Sequence, residues 1–117
     1  MAHVERNIVL HAGDDVEITV DVFDADNQPL GLEGASVTWA VAERDAGAER
    51  VITKISPGGI SFGEEPNRFV IAIAGEDTAG LSGRYRHQAQ VTDGAGNRST
   101  VLSGILNVLP TILGESE

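Results

Sequence analysis

The sequence contains no cysteine, which excludes a disulfide framework, a thiolate metal site and a cysteine nucleophile together. The fold must stand on packing. Long apolar runs are missing too: stretches such as residues 8–10 and 69–74 fall far short of the roughly 20 residues that cross a bilayer. A membrane span is excluded on that ground. Positive charge is scarce, with eight basic against eighteen acidic residues and a formal net charge of -10. A surface of that sign repels phosphate backbones unless its few cations cluster. Arg84, Arg86 and Arg98 are the nearest approach to a cluster, and three charges make a poor footprint for nucleic acid. Aromatics are equally thin, with one Trp, one Tyr and three Phe. Residues 1–6 lack the basic start, apolar stretch and small-residue cleavage site of a signal peptide, so assembly in the cytoplasm is expected.

What is present is alternation. The chain has 117 residues, 41% of them hydrophobic, which suits one domain over residues 1–117 with short terminal arms at about 1–6 and 110–117. Val16, Ile18, Val20 and Val22 interleave with Glu17, Thr19 and Asp21, the signature of a half-buried strand. Val37, Trp39 and Val41 repeat the period, as do Phe69, Ile71 and Ile73, and then Tyr85, His87, Ala89 and Val91. Arg84, Arg86, Gln88, Gln90 and Thr92 take the wet face of that last strand. Further strands are expected over residues 7–11, 50–55 and 99–108, making about seven.

Turn chemistry punctuates them: residues 24–29 (DADNQP), 56–59 (SPGG), 64–67 (EEPN) and 93–97 (DGAGN). Glycine supplies positive φ, proline fixes φ, and Asx side chains bond nearby backbone. Helical periodicity never lasts beyond about two turns. Residues 76–81 could form a single turn capped by Asp77 or Thr78. Short alternating strands with regular turns predict an all-β, immunoglobulin-like antiparallel β-sandwich. Trp39 falls where such domains place a central indole. Tyr85, opening the penultimate strand after Leu81-Ser82-Gly83-Arg84, has the spacing of a tyrosine corner. His87 stands where antibody domains carry a cysteine and is expected to be half-buried.

The candidates for chemistry are few. Asp14-Asp15, Asp24, Asp26 and Glu64-Glu65 offer hard oxygen ligands to calcium. A twelve-residue calcium loop from Asp24 would meet Pro29 where it needs glycine and Ala35 where it needs glutamate. These acids are therefore read as solvated turn residues. His3, His11 and His87 show no zinc-like spacing. No Gly-x-Ser-x-Gly elbow accompanies a histidine and an acid, and the glycines at 56–59 lack the lysine of a phosphate loop. Asn97-Arg98-Ser99 matches a glycosylation sequon, which a chain that is not exported never presents. No catalytic, cofactor-binding or metal-binding residue is expected, and no enzyme.

The ordered features nevertheless resemble one family. His11-Ala12-Gly13-Asp14-Asp15 leads into an alternating strand. Asn27-Gln28-Pro29-Leu30-Gly31-Leu32-Glu33-Gly34-Ala35 precedes the Trp39 strand, and Ile52-Thr53-Lys54 follows. Asp77-Thr78 and Gly83-Arg84-Tyr85 form a corner, and a hairpin at 93–97 leads to a closing strand holding Gly104. From Val9 to about Pro110 this order is similar to the immunoglobulin-like module of tailed-bacteriophage virion proteins, typified by the N-terminal domain of baseplate upper proteins. The resemblance implies a non-enzymatic structural protein of a phage or prophage virion, assembled in the host cytoplasm. It would dock on other virion proteins, in tail, baseplate or fibre attachment or as a capsid decoration, in a homo-oligomeric or multi-copy arrangement, with no nucleic acid, membrane or cofactor. Two segments look adhesive: residues 2–7, and residues 110–114 with their apolar Ile112 and Leu113. The alternative is a carbohydrate- or calcium-binding adhesion module, with Phe23 and Phe62 as the aromatics nearest loops.

Overall fold

A computed structural model describes residues 4–24, 26–43 and 50–110. Regular structure among the described residues is almost entirely β-strand. β1 (Val4–Glu5), β2 (Ile8–His11), β3 (Val16–Asp21), β4 (Ser36–Glu43) and β5 (Arg50–Ile55) come first. β6 (Ile60–Phe62), β7 (Arg68–Ile73), the single turn α1 (Gly75–Thr78), β8 (Gly83–Thr92) and β9 (Arg98–Leu109) complete the order. The larger sheet runs β9-β8-β4-β5 antiparallel, with β1 and β2 laid one after the other, in parallel, along the outer edge of β9. The smaller sheet is β3-β7-β6. With β4, β8 and β9 in one sheet and β3, β7 and β6 in the other, the arrangement is an immunoglobulin-like sandwich.

The alternating residues decide what lies between the layers. Ile18, Val20, Phe69, Ile71 and Ile73 of the smaller sheet face Val37, Trp39, Val41, Ala89 and Val91 of the larger, all buried. Register shifts break the period twice. One lies between Val41 and Ala42, against β5. The other lies between Ala89 and Gln90, so that Val101 and Leu102 are both buried. That is a β-bulge, which turns an extra residue into the core.

All seven expected strands are present, with small changes at their ends. Two more appear that alternation did not indicate. β6 has three residues, too few to display a period. β1 lies inside the segment read as an N-terminal arm, and it pairs Val4 with Leu102 and Glu5 with Ser103. The rest of the adhesive segments, residues 2–3 and 111–114, lies outside the described residues.

The expected helical turn sits slightly earlier, and neither Asp77 nor Thr78 is its N-cap. Ala74 holds that position, and Asp77, three residues on, accepts a hydrogen bond from the Ala74 amide at 2.8 Å. The same carboxylate meets Lys54 of β5 at 2.9 Å. Burial pushes the Asp77 pKa up, but Lys54 and the Ala74 amide outweigh it and hold it below the ordinary value. Thr78 is fully buried, and its hydroxyl accepts from the Gly13 amide at 3.1 Å. Thr78→Val keeps the shape and deletes the acceptor. It should cost about 0.5–1.5 kcal/mol, the usual net worth of one hydrogen bond, read from urea unfolding midpoints.

The tyrosine corner is present. The Tyr85 hydroxyl donates to the Ser82 carbonyl at 3.0 Å and accepts from the Ser82 amide at 3.2 Å. It pins the turn at residues 82–85 that leads into β8.

Candidate functional site

Two arrangements stand out among the described residues: a buried chain of hydrogen bonds at the centre and the outer face of the larger sheet. The buried chain begins at Trp39, which is wholly inaccessible. Its indole Nε1 donates to His87 Nδ1 at 3.2 Å, and His87 Nε2 lies 2.8 Å from the Arg6 carbonyl oxygen. An indole N–H can only donate, so Nδ1 must accept and the ring proton must sit on Nε2, where it donates to Arg6. This corrects the expectation for His87: it is 1% exposed rather than half-buried. Its two nitrogens join β4 and β8 to the link between β1 and β2. The Arg6 side chain extends the chain to the other layer by donating to the Thr19 carbonyl of β3 at 2.8 Å.

Burial holds the His87 pKa below its ordinary 6.5; the positive charge of Arg6 adds to this and the hydrogen bond to the Arg6 carbonyl opposes it. The depressed value has a definite consequence for stability. Between the folded pKa and 6.5 the unfolded chain binds the proton and the folded chain does not, so stability is full above that window and falls as pH drops through it. The slope from this one group is bounded by the one-proton limit of about 1.4 kcal/mol per pH unit. Urea unfolding between pH 8 and 5 checks this, and His87→Gln should flatten the profile. Asp21, Asp77 and Asp93, whose pKa values are also lowered, lose their contributions only below their ordinary 3.8, in a separate window.

The outer face is built by the opposite set of the same alternating residues. Across β5, β4, β8 and β9 the register aligns Arg50, Ala42, Arg86 and Ile105 in one row. The next holds Thr53, Ala40, Gln88 and Ser103, and another Ile55, Thr38, Gln90 and Thr100. Arg84 and Asn107 continue it to Val9 on β2, which is 63% exposed. Small and uncharged side chains fill the middle. The two alanines leave a shallow depression of about 190 Å³ lined by Ala40, Ala42, Arg50, Arg86, His87 and Gln88. Among the described residues Glu5, beside Ser103, is the one carboxylate that the strand register places on this face.

The sequence cluster of Arg84, Arg86 and Arg98 is thereby rearranged. Arg98 pairs with Thr92 at the far end of β8, roughly 26 Å from Arg84 at about 3.3 Å per residue. Arg50 takes its place: it stands two strands from Arg86, roughly 10 Å away by strand spacing. Sequence reading missed this because β5 and β8 are distant in the chain and become neighbours of β4 only through the sheet order. The Arg86 Nε also donates to the Glu43 carbonyl at 3.1 Å, which holds its guanidinium near the strand end.

The remaining candidates are placed as follows. Asp24 Oδ1 accepts from the amides of Asp26 and Gln28, both at 2.9 Å, so that carboxylate closes its own turn. Asp93 does the same for Ala95 and Asn97. Asp15 accepts from the Gly75 amide at 2.7 Å. No three His, Asp or Glu side chains converge as a metal centre among the described residues. His3 lies outside those residues, and His11 is exposed at the end of β2. The Ser56 hydroxyl accepts from the Val37 amide at 3.0 Å. Phe23 is half-buried and bridges to Pro29. Phe62 is 46% exposed, and it shares a groove of about 350 Å³ with residues 31–35, Glu65 and Pro66. No helix among the described residues is long and apolar enough to cross a membrane. Compared with known proteins, the chain matches no protein-family model and no curated protein.

Proposed function

We propose that this protein is a non-enzymatic structural component of a tailed-phage or prophage virion, present in several copies and docked on neighbouring virion proteins. The observation that supports this reading most is the outer face of the larger sheet. It is five strand positions wide and surfaced mainly by Thr, Ala, Gln and Ser, with arginines toward the strand ends, on a chain of net charge -10. Such a face can be covered by another protein without stranding many charges, because the charged groups stand at the rim where they stay hydrated. A second observation agrees. His87, the most deeply buried ionisable side chain described, spends both ring nitrogens on Trp39 and the Arg6 carbonyl. It has no lone pair left for acid–base work.

The experiment is to induce particles from a host carrying the gene, band them on a density gradient and quantify the chain by mass spectrometry. Incorporation at a fixed copy number is the expected result. Hundreds of copies would indicate a capsid lattice, and a few to a few dozen a tail, neck or baseplate ring. Intact particles that lack the chain would overturn the proposal.

A further inference from the structure

The buried chain of hydrogen bonds ties an edge of the larger sheet to a side chain that titrates. We propose that residues 4–11 are a proton-released latch: uptake of a proton by His87 undocks β1, β2 and the link between them from β9, while the rest of the sandwich stays folded. The release is a property of the chain alone and stands apart from any role in particles.

Three features of the structure carry it. First, the docked arrangement has no place for an imidazolium. The Trp39 indole N–H points at His87 Nδ1 across 3.2 Å and can only donate, so a proton on Nδ1 sets two donors against each other. Among the described residues the one charge acting on the ring is the Arg6 guanidinium, which has the same sign. Around the ring β4 presents Trp39 and Val41, β9 presents Gly104, and β3 and β7 turn Ile18, Val20, Phe69, Ile71 and Ile73 inward. Tyr85, next along the same face of β8, has its hydroxyl on Ser82. Lys54, opposite Trp39 on β5, is paired with Asp77, and Glu5 stands on the outer face beside Ser103.

Second, the latch itself covers the ring. Gly104 lies opposite His87, and a Cβ there would collide with the Arg6 carbonyl, so residue 6 rests on bare backbone. Once the link lifts, no side chain at 104 closes the gap. Water then reaches the ring, hydrates the cation and lets it turn from the indole. Third, the latch is held from one side. β1 and β2 pair with β9 alone, whereas β4 and β8 have strands on both sides. Within residues 5–11 the buried side chains are Ile8 and Leu10. The other ties are the Arg6 amide to Ser103, Asn7 to the Ile105 amide and the Arg6 side chain to Thr19. Opening such an edge costs less than unfolding the whole sandwich. It leaves β9 as a free edge, which another strand can join.

The direction follows from linkage. Docking holds the His87 pKa below its ordinary 6.5, and hydration restores it. Each pH unit below 6.5 therefore favours the open form by up to about tenfold, and pH 5 by up to about thirtyfold.

The test is hydrogen exchange of the full chain, followed by NMR at pH 7.5 and 5 and corrected for intrinsic rates. Protection of the bonded amides in residues 5–11 should fall, by as much as about thirtyfold, with the shallow urea dependence of a local opening. Amides of β3 and β7 should keep the steep dependence of global unfolding. The fall should persist in His3→Gln with His11→Gln, where His87 is the only histidine. It should vanish in His87→Gln, whose amide offers an acceptor to the indole and a donor to Arg6 but takes up no proton. Ring nitrogen shifts of the wild-type chain follow the same proton without any variant. An imidazolium at His87 while residues 5–11 stay protected overturns the inference. So does protection that ignores pH, a fall that survives His87→Gln, or exchange of residues 5–11 with the same urea slope as β3 and β7.

Discussion

Trp39→Ala should lower the free energy of unfolding by about 3–5 kcal/mol, the range for deleting a large aromatic from a packed core. The indole is wholly inaccessible and lies between the two sheets on the central strand β4, where collapse of the surroundings is restricted by strands on both sides. The substitution also orphans His87 Nδ1, which accepts from the indole at 3.2 Å and has no other described donor. Domains of this size are stable by about 5–15 kcal/mol in total, so the loss is a large fraction of the whole. A fall in melting temperature of roughly 10–20 °C should accompany it. Trp39→Phe separates the two contributions. It restores much of the apolar volume but not the donor, and it should recover only part of the loss. A melting temperature for Trp39→Ala within a few degrees of wild type would remove the indole from the centre of the fold.

That position was legible in the sequence because a lone tryptophan at the inward phase of an alternating strand has one place to go. The same logic located the seven main strands, the hydroxyl bond of Tyr85 and the Asx turns at Asp24 and Asp93, all of which depend on neighbours close in the chain. What stayed hidden depends on partners far away. β6 is too short to show a period, and Val4–Glu5 becomes a strand only because the edge of β9 is there to receive it. His87 carries no local sign that its ring will be sandwiched between Trp39 and the Arg6 carbonyl. Val101 and Leu102 break alternation at a bulge that only the pairing with β8 explains.

The outer face follows the same division. Arg84, Arg86, Gln88, Gln90 and Thr92 were readable as the wet side of β8, since alternation fixes the phase of a strand. That Arg50 would join Arg86 across Ala42, and that Arg98 would leave, required the order β9-β8-β4-β5. Phe62 was legible as an aromatic near a loop. Its place beside Glu33 and Glu65 depends on residues 31–35 folding back toward Pro66, whose carbonyl accepts from the Leu32 amide at 2.9 Å.

Gly104→Ala should be as damaging as loss of the indole, although it adds one methyl group and removes nothing. A Cβ at Gly104 would collide with the Arg6 carbonyl oxygen and press on Asn7 Oδ1 at 3.1 Å. Both neighbours belong to the link between β1 and β2, and both are committed. The Arg6 carbonyl accepts from His87 at 2.8 Å, and Asn7 Oδ1 accepts from the Ile105 amide at 3.0 Å. The link cannot retreat without breaking these bonds, and retreat would lift β2 from β9. Ile8 and Leu10 of β2 are buried, and re-exposing two such side chains costs about 3–6 kcal/mol at roughly 1.5–3 kcal/mol each. Hydrogen exchange should show residues 4–11 losing protection together while β3 and β7 keep theirs, since the smaller sheet does not touch the new methyl group. Gly31→Ala is the control: its Cβ would meet nothing within 4 Å, so its effect should stay within about 0.5 kcal/mol. Wild-type stability and unchanged protection of β2 in Gly104→Ala would show that the backbone of residues 6–7 does not lie against β9.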